Sequence, residues 1–297
     1  MEGILPALVT PIADDGSVAV GPLEKLLERL YSAGVHGMYV CGQTGEGLLQ
    51  TAAMRKTVAE AAVRCSPPGA SVIVHVGAYR PEEAIELARH AAAAGAHAIS
   101  SLPPLGAYSF AEIRQYYERL ARASDLPLLV YFFPEVCPAI SSRAQLDELL
   151  AIPGVVGLKY TDFDLFRLSR ISLSGKVVFN GRDEVLAAGL LMGAHGGIGS
   201  FYNITPELFL EVWRHARAGN WAEARRAQDA INELIEITLR FPIFPALKRM
   251  LTWAGIDAGR CLAPRRELTP AEEAALQEQL RASRFAGKQF AGLLVEA

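Results

Sequence analysis

The chain has 297 residues, of which 51% are hydrophobic and 21% are charged, and its formal net charge is −3 at pH 7. This composition can bury a large core, and the length fits either two small domains or one α/β barrel. Because no long run of Lys or Arg occurs, DNA, RNA and anionic membranes are not expected as partners. The sequence shows no leader-like segment and no apolar run near the roughly 20 residues of a membrane span, so we expect a cytoplasmic protein. Its four cysteines are widely spaced, and we expect them to be reduced thiols.

Short apolar runs alternate with helical patterns from the first residues to about Phe201. In chain order the predicted strands are PALVTPI, GMYVCG, VIVHVG, AISSLP, PLLVYFF, VVGLKY, KVVFNG and GGIGSF. The segments between them have helical apolar spacing, and several end in Gly, a common helix stop. Eight alternating units favour a closed parallel barrel over a doubly wound sheet, which would be expected to carry a Gly-rich nucleotide loop after its first strand.

After Thr205 the pattern contains helices only, the longest within NWAEARRAQDAINELIEITLRF. We therefore predict an α/β protein, a (β/α)8 TIM barrel with a C-terminal helical extension. Residues 1–204 are predicted to contain the barrel strands and their crossover helices. Residues 205–297 are predicted to contain the last barrel helix and the extension. Since no linker separates them, the two parts are expected to form one structural unit.

A lysine interrupts the apolar pattern of the sixth predicted strand. VVGLKY leads from Val155 to Lys159, where a buried parallel strand would normally continue with Val or Ile. A lysine at a strand end can extend its amine to water. However, the active sites of these barrels lie at the carboxyl ends of the strands, where burial lowers the pKa of an amine and makes it a nucleophile toward ketones. Tyr131, at the end of the preceding strand, can face the same carbonyl carbon as an acid or base.

Further polar motifs follow other predicted strands. GQTGEG, residues 42–47, is an ordinary tight turn or a loop that points backbone N–H groups and the Thr44 hydroxyl at a carboxylate. NGRDE places Asp183 and Glu184 at a helix start, where acids favour the helix dipole or accept hydrogen bonds from substrate hydroxyls. The neighbouring acids argue against a phosphate at GGIGS.

Taken together, these motifs resemble the N-acetylneuraminate lyase and dihydrodipicolinate synthase family, in order and over nearly the whole chain. The motifs are GQTGEG, the Tyr of YFFP, the Lys of GLKYTD, NGRDEVLAAGLLMGAHGGIGSFYNI and FPALK. The resemblance implies a (β/α)8 barrel, a homotetramer built as a dimer of dimers, no metal or organic cofactor, and a Schiff base with a 2-keto acid, typically pyruvate. It implies that Lys159 forms the imine and that Tyr131 is the general acid/base. The substrate-binding residues that it implies are Gln43, Thr44, Gly45, Thr161, Gly181, Asp183, Glu184 and Ser200.

Two departures from the family pattern bear on the activity. Gln43 stands where most members carry Thr or Ser, and Glu135 follows YFFP where the synthase branch places an arginine just after this motif. We expect three acids at the far end of the pocket, Glu135, Asp183 and Glu184, with Arg182 directed away from its neighbours. Such a pocket favours neutral polyol tails over anionic ones.

The sequence therefore predicts a class I lyase that cleaves a polyhydroxylated 2-keto acid to pyruvate and an aldehyde. The leading reaction is cleavage of N-acetylneuraminate to pyruvate and N-acetylmannosamine. Alternatives are a lyase or dehydratase of a 2-keto-3-deoxy sugar acid, and a catalytically silent barrel that binds a metabolite, which Gln43 suggests. A metal-dependent aldolase is disfavoured because the six histidines show no ligand spacing.

Overall fold

Eight parallel strands form a barrel in a computed structural model that describes residues 1–285, 289–290 and 293–294. The strands pair in the order β1-β8-β7-β6-β5-β4-β3-β2. A parallel bridge from Ala7 to Tyr39 closes the barrel between β1 and β2, and the Leu8 N–H donates to the Tyr39 carbonyl at 2.9 Å. The strands are β1 Gly3–Pro6, β2 Gly37–Val40, β3 Ser71–His75, β4 Ala98–Ser101, β5 Leu128–Phe132, β6 Val155–Tyr160, β7 Val177–Asn180 and β8 Gly196–Gly199.

Helices alternate with the strands and then continue alone, as the sequence predicts. Gly34 and Gly95 end the first and third helices in the left-handed conformation, with φ of 99° and 89°. The helices are α1 Val20–Ala33, α2 Ala52–Arg64, α3 Pro81–Ala94, α4 Phe110–Ala121, α5 Arg143–Leu150, α6 Leu165–Ser172, α7 Leu186–Leu191, α8 Pro206–Arg217, α9 Trp221–Thr238, α10 Ile243–Trp253 and α11 Pro270–Arg281.

The last described elements are β9 Gln289–Phe290 and β10 Leu293–Leu294, which pair antiparallel. The (β/α)8 barrel followed by C-terminal helices confirms the predicted fold class. The division of the chain between residues 204 and 205 remains a prediction. None of the helices in residues 1–285 has the length and apolar character needed to cross a membrane.

Two buried apolar clusters follow from the two faces of each strand. Along β5, Leu129 and Tyr131 belong to the cluster inside the barrel, whereas Leu128, Val130 and Phe132 belong to the cluster between the strands and the helices. This alternation is the ordinary consequence of successive side chains pointing to opposite faces of a strand.

The same alternation positions Lys159. On β6 its neighbours Leu158 and Tyr160 belong to the outer cluster, so the Lys159 side chain points into the barrel. The register pairs Lys159 with Tyr131 on β5. The two candidate catalytic residues are therefore adjacent on the inner wall, close to the carboxyl ends of their strands.

Candidate active site

A cavity of about 160 Å³ lies at the carboxyl ends of the barrel strands. Nine of the ten site residues predicted from the sequence line it: Gln43, Thr44, Tyr131, Lys159, Thr161, Gly181, Asp183, Glu184 and Ser200. The loops after β2, β6, β7 and β8 thus converge with the ends of β5 and β6 on one space. Gly45 is the exception, because it lies against the β1 segment, where an added Cβ would be 2.7 Å from the Leu8 carbonyl oxygen.

The Lys159 amine is buried against aromatic rings. Its Nζ lies 4.1 Å from the ring centroid of Tyr131 and 4.5 Å from that of Tyr39, and the residue is 4% exposed. Burial lowers the pKa of this amine to about 7, and the charge of Asp183 opposes the shift. A large fraction of the amine is therefore unprotonated at neutral pH and available as a nucleophile.

Tyr131 occupies the centre of an aromatic group inside the barrel. Its ring stacks on Phe133 with centroids 6.0 Å apart and meets the Tyr39 and His75 rings edge-on at 6.1 and 6.0 Å. Burial raises the pKa of its phenol well above the ordinary value, and the Thr161 hydroxyl opposes this shift. The phenol is thus protonated at neutral pH, which suits a group that begins a reaction as a proton donor.

The loop after β2 brings a hydroxyl to the cavity opposite β8. Thr44 Oγ1 lies 2.6 Å from Ser200 Oγ, so the loops after β2 and β8 touch directly. The turn itself is closed by Gly47 N donating to the Gly42 carbonyl at 2.9 Å. Within the described chain, the Thr44 and Gly45 N–H groups donate to no other residue. A hydroxyl and unused N–H groups in one turn are suitable donors for a carboxylate.

Asp183 is a buried carboxyl that rests against β8. Its Oδ2 accepts a hydrogen bond from Phe201 N at 2.8 Å, and burial raises the pKa of the carboxyl to about 7. A Cβ on Gly199 would lie 1.9 Å from Asp183 Oδ1, so only glycine at this position lets the carboxyl approach the strand. Near neutral pH this group exists in both its protonated and its ionised form.

Thr161 presents an unused polar atom to the cavity. Its Oγ1 is buried beside the Tyr131 phenol, whose pKa it lowers, but it forms no hydrogen bond of ordinary length and angle with the described residues. A Cβ on Gly181 would lie 2.2 Å from that oxygen, so Gly181 leaves room for the hydroxyl. Because buried polar groups are nearly always paired, Thr161 Oγ1 is suited to a hydrogen bond with a bound molecule.

Arg182 does not point away from the other residues of its motif, and that expectation is wrong. The residue lines the cavity, where its guanidinium carbon lies 4.4 Å from the Phe163 ring centroid and 5.4 Å from that of Phe133. Its NH2 group forms an ion pair with Glu135, whose side chain is 61% exposed. Glu135 therefore neutralises a cation at the pocket rather than adding a third free acid.

Sequence reasoning also missed an apolar wall. Ile235 and Leu239, from α9 and its end, and Ile243 and Phe244, from the start of α10, line the cavity on one side. These residues follow the last strand by tens of positions, and only the packing of the C-terminal helices brings them to the mouth. Their apolar character is indistinguishable in sequence from that of ordinary helix core positions.

Comparison with known proteins gives a consistent result. Residues 1–283 match the model of the dihydrodipicolinate synthetase family. The chain is 37% identical over 285 residues to the N-acetylneuraminate lyase of Rhizobium meliloti, with 94% of each protein covered. It is 34% identical over 259 residues to N-acetylneuraminate lyase 2 of Escherichia coli O6:H1, covering 86% of this chain and 85% of that protein.

Solved structures extend the comparison to the fold. A sialic acid aldolase from Ruminococcus gnavus superposes with a TM-score of 0.91 at 27% identity and covers 97% of this chain and 99% of its own. CdNal from Clostridium difficile, in complex with mannosamine, gives a TM-score of 0.90 at 28% identity and covers 95% and 99% of the two chains.

Proposed function

The chain belongs to the dihydrodipicolinate synthetase family, and we propose that it is a Schiff-base lyase whose imine forms on Lys159. It is a carbon–carbon lyase that cleaves N-acetylneuraminate to pyruvate and N-acetylmannosamine. The observation that supports Lys159 best is its buried amine at the end of β6, with a pKa lowered to about 7. An unprotonated amine is the form that attacks a ketone.

The first steps join the amine to the substrate. Lys159 Nζ adds to the C2 ketone, and the new hydroxyl at C2 leaves as water after it takes a proton from the Tyr131 phenol. This leaves an iminium on Lys159 and a phenolate on Tyr131. The centroid of the Tyr131 ring lies 4.1 Å from Nζ, and in this proposal the cation and the phenolate stabilise each other because the site is buried and weakly screened.

The iminium on Lys159 then accepts the electrons of the bond that is cleaved. The phenolate takes the proton of the C4 hydroxyl, the electrons of the C3–C4 bond move toward the iminium, and the aldehyde departs to leave an enamine. Tyr131 returns the proton to C3. Water then adds to the iminium and gives its proton to the phenolate, and collapse of the adduct releases pyruvate and the free amine of Lys159.

The remaining predicted residues hold the substrate in this proposal. Thr44 and the N–H groups of its turn bind the C1 carboxylate, on the side of Ser200. Thr161 Oγ1 and the carboxyl of Asp183 receive the hydroxyl groups of the tail, together with Glu184. What supports this assignment is the shared cavity and the unpaired Thr161 oxygen.

We further propose a homotetramer assembled as a dimer of dimers. Large apolar side chains are exposed on and beside the neighbouring helices α6 and α7, with Phe166 74%, Leu173 71% and Leu191 58% exposed. Apolar groups gathered in this way are typical of a surface that another subunit covers. Light scattering coupled to size-exclusion chromatography measures the mass directly.

Trapping tests the imine. The protein is incubated with pyruvate and sodium borohydride, digested, and analysed by mass spectrometry, and we expect a stable adduct on the peptide that contains Lys159. Lys159→Arg should lose the adduct, whereas Lys176→Arg, next to β7, should keep it. An adduct on another lysine, or none with any 2-keto acid, contradicts the mechanism and would favour a barrel that only binds metabolites.

Turnover tests the substrate. Release of pyruvate from N-acetylneuraminate is followed beside release from a shorter 2-keto-3-deoxy sugar acid, at equal concentrations. We expect the larger substrate to have the higher kcat/KM. A preference for the shorter acid would move the assignment to that class of lyase while leaving the imine on Lys159 intact.

A further inference from the structure

Glu46, the one acid of the GQTGEG turn, is a buried carboxylate with an unusual backbone conformation. The residue is 2% exposed, and its φ of 57° lies in the left-handed region that side chains other than glycine rarely adopt. A carboxylate in such a place needs strong partners, because an unpaired buried charge is costly. It is not needed for the chemistry proposed above, since it does not line the cavity.

The partners of the Glu46 side chain all come from the C-terminal part of the chain. Lys248 Nζ, on α10, lies 2.7 Å from Oε1, and Leu262 N donates to Oε2 at 2.8 Å. Arg265 Nε lies 3.6 Å from Oε2, and Lys248 Nζ also donates to the Arg260 carbonyl at 2.6 Å. We call Glu46, Lys248, Arg265 and the Leu262 N–H the Glu46 cluster.

The Glu46 cluster is joined to the turn that carries Thr44. Glu46 N donates to the Gln43 carbonyl at 3.0 Å, and Gln50 Nε2 donates to the Gly45 carbonyl. Thr44 therefore lies between Gln43, whose carbonyl accepts from Glu46 N, and Gly45, which Gln50 holds and which is bonded directly to Glu46. Its hydroxyl lies 2.6 Å from Ser200 Oγ, so a small displacement of the turn would break that contact.

The same cluster fixes the opposite wall of the cavity. Phe244, one turn before Lys248 on α10, lines the cavity, and the Arg265 guanidinium carbon lies 3.7 Å from its ring centroid. Lys248 is 1% exposed and Glu46 is closed to solvent beside it. The turn and the apolar wall are thus joined through the Glu46 cluster, in which the Glu46–Lys248 ion pair is the most buried contact.

A contribution to stability does not readily explain why Glu46 and Lys248 form a buried ion pair. Apolar residues of similar volume often replace a buried ion pair without loss of stability, whereas an ion pair fixes the relative position of the segments that carry it. We propose that the Glu46–Lys248 pair is a positioning device, which holds the carboxylate-binding turn of the barrel in register with α10. This role rests on the proposed function, because it assigns the turn to the carboxylate of a 2-keto acid.

The test separates pyruvate affinity from the amount of active protein. Borohydride trapping is measured against pyruvate concentration for the wild type, Lys248→Met and the double variant Glu46→Gln/Lys248→Met. We expect both variants to need at least tenfold more pyruvate for half-maximal trapping, while the maximal trapping stays within threefold. Loss of folded protein alone would lower the maximum and leave the half-saturating concentration unchanged.

Matched variants complete the design. Arg249→Met, next to Lys248 on α10, removes an ion pair to Glu273 on α11 rather than to the turn, and should leave half-saturation within twofold. The double variant should recover the melting temperature lost by Lys248→Met, because it leaves no buried carboxylate without its lysine partner, but it should not recover pyruvate affinity. If Lys248→Met does not fold, Lys248→Arg and Glu46→Gln are compared in the same assay.

Opposite outcomes have distinct meanings. Unchanged half-saturation in the folded variants, or recovery of affinity together with melting temperature in the double variant, overturns the positioning role and leaves the lyase intact. A wild-type protein that traps no 2-keto acid contradicts the proposed function, and the positioning role with it.

Discussion

Replacing the candidate nucleophile should make the protein more stable. The amine of Lys159 is buried, and its pKa falls from 10.5 to about 7 on folding. At about 1.36 kcal/mol per pKa unit, the folded state at pH 7 bears a cost of about 4 kcal/mol relative to an ordinary lysine. Lys159→Met removes this cost while retaining a long, apolar side chain that fits among aromatic rings.

The pH dependence has a definite sign. Because the folded pKa is lowered, the unfolded chain binds more protons between pH 7 and 10.5, and wild-type stability rises across that range. The advantage of Lys159→Met is therefore largest at and below pH 7, and falls to about 2 kcal/mol by pH 9.

The assay is urea denaturation at fixed protein concentration, followed by both circular dichroism and tryptophan fluorescence, at pH 7 and pH 9. Lys56→Met is the control, because Lys56 forms a surface ion pair with Glu86 and should change stability by less than about 1 kcal/mol. No gain for Lys159→Met at pH 7 would refute the reasoning. If Lys159→Met gains the same stability at pH 7 and at pH 9, the gain comes from apolar packing rather than from removal of the buried amine.

Two further predictions concern turnover. Tyr131→Phe should still form the imine but lose roughly 10²- to 10⁴-fold in kcat. The control Tyr160→Phe, at a position that faces the outer helices, should keep the wild-type kcat. An unchanged kcat for Tyr131→Phe would mean that another group transfers the proton. The wild type should prefer neutral polyol tails to anionic tails by at least about tenfold in kcat/KM. Glu135→Gln should reduce this preference for neutral tails, because Arg182 loses its carboxylate partner and can then bind an anionic tail. If the ratio of the two kcat/KM values is the same in the variant and the wild type, this explanation is wrong.

The barrel and its central pair could be predicted because they depend on local patterns. Strand alternation is visible in the sequence, and the parallel register then places Lys159 beside Tyr131. The meeting of the turn at Thr44 with Ser200 also follows from the rule that strand ends share one face of a barrel.

The orientation of Arg182 could not be predicted, because it depends on partners from other loops. Glu135 follows β5 and Phe163 follows β6, and both meet the guanidinium only after the barrel has closed. The wall at Phe244 depends in the same way on how α10 packs across the mouth. Such contacts leave no periodic signal in the chain.

The contact between Glu46 and Leu262 spans 216 positions of the chain. During synthesis, β2 and its turn therefore leave the ribosome long before the residues that hold them exist. The nascent barrel can form its first strands and helices, but its substrate site is completed only when α10 and the segment after it emerge. Contacts of this separation form late in folding. Any product of incomplete translation that stops before Lys248 is therefore expected to be an inactive protein, however much of the barrel it contains.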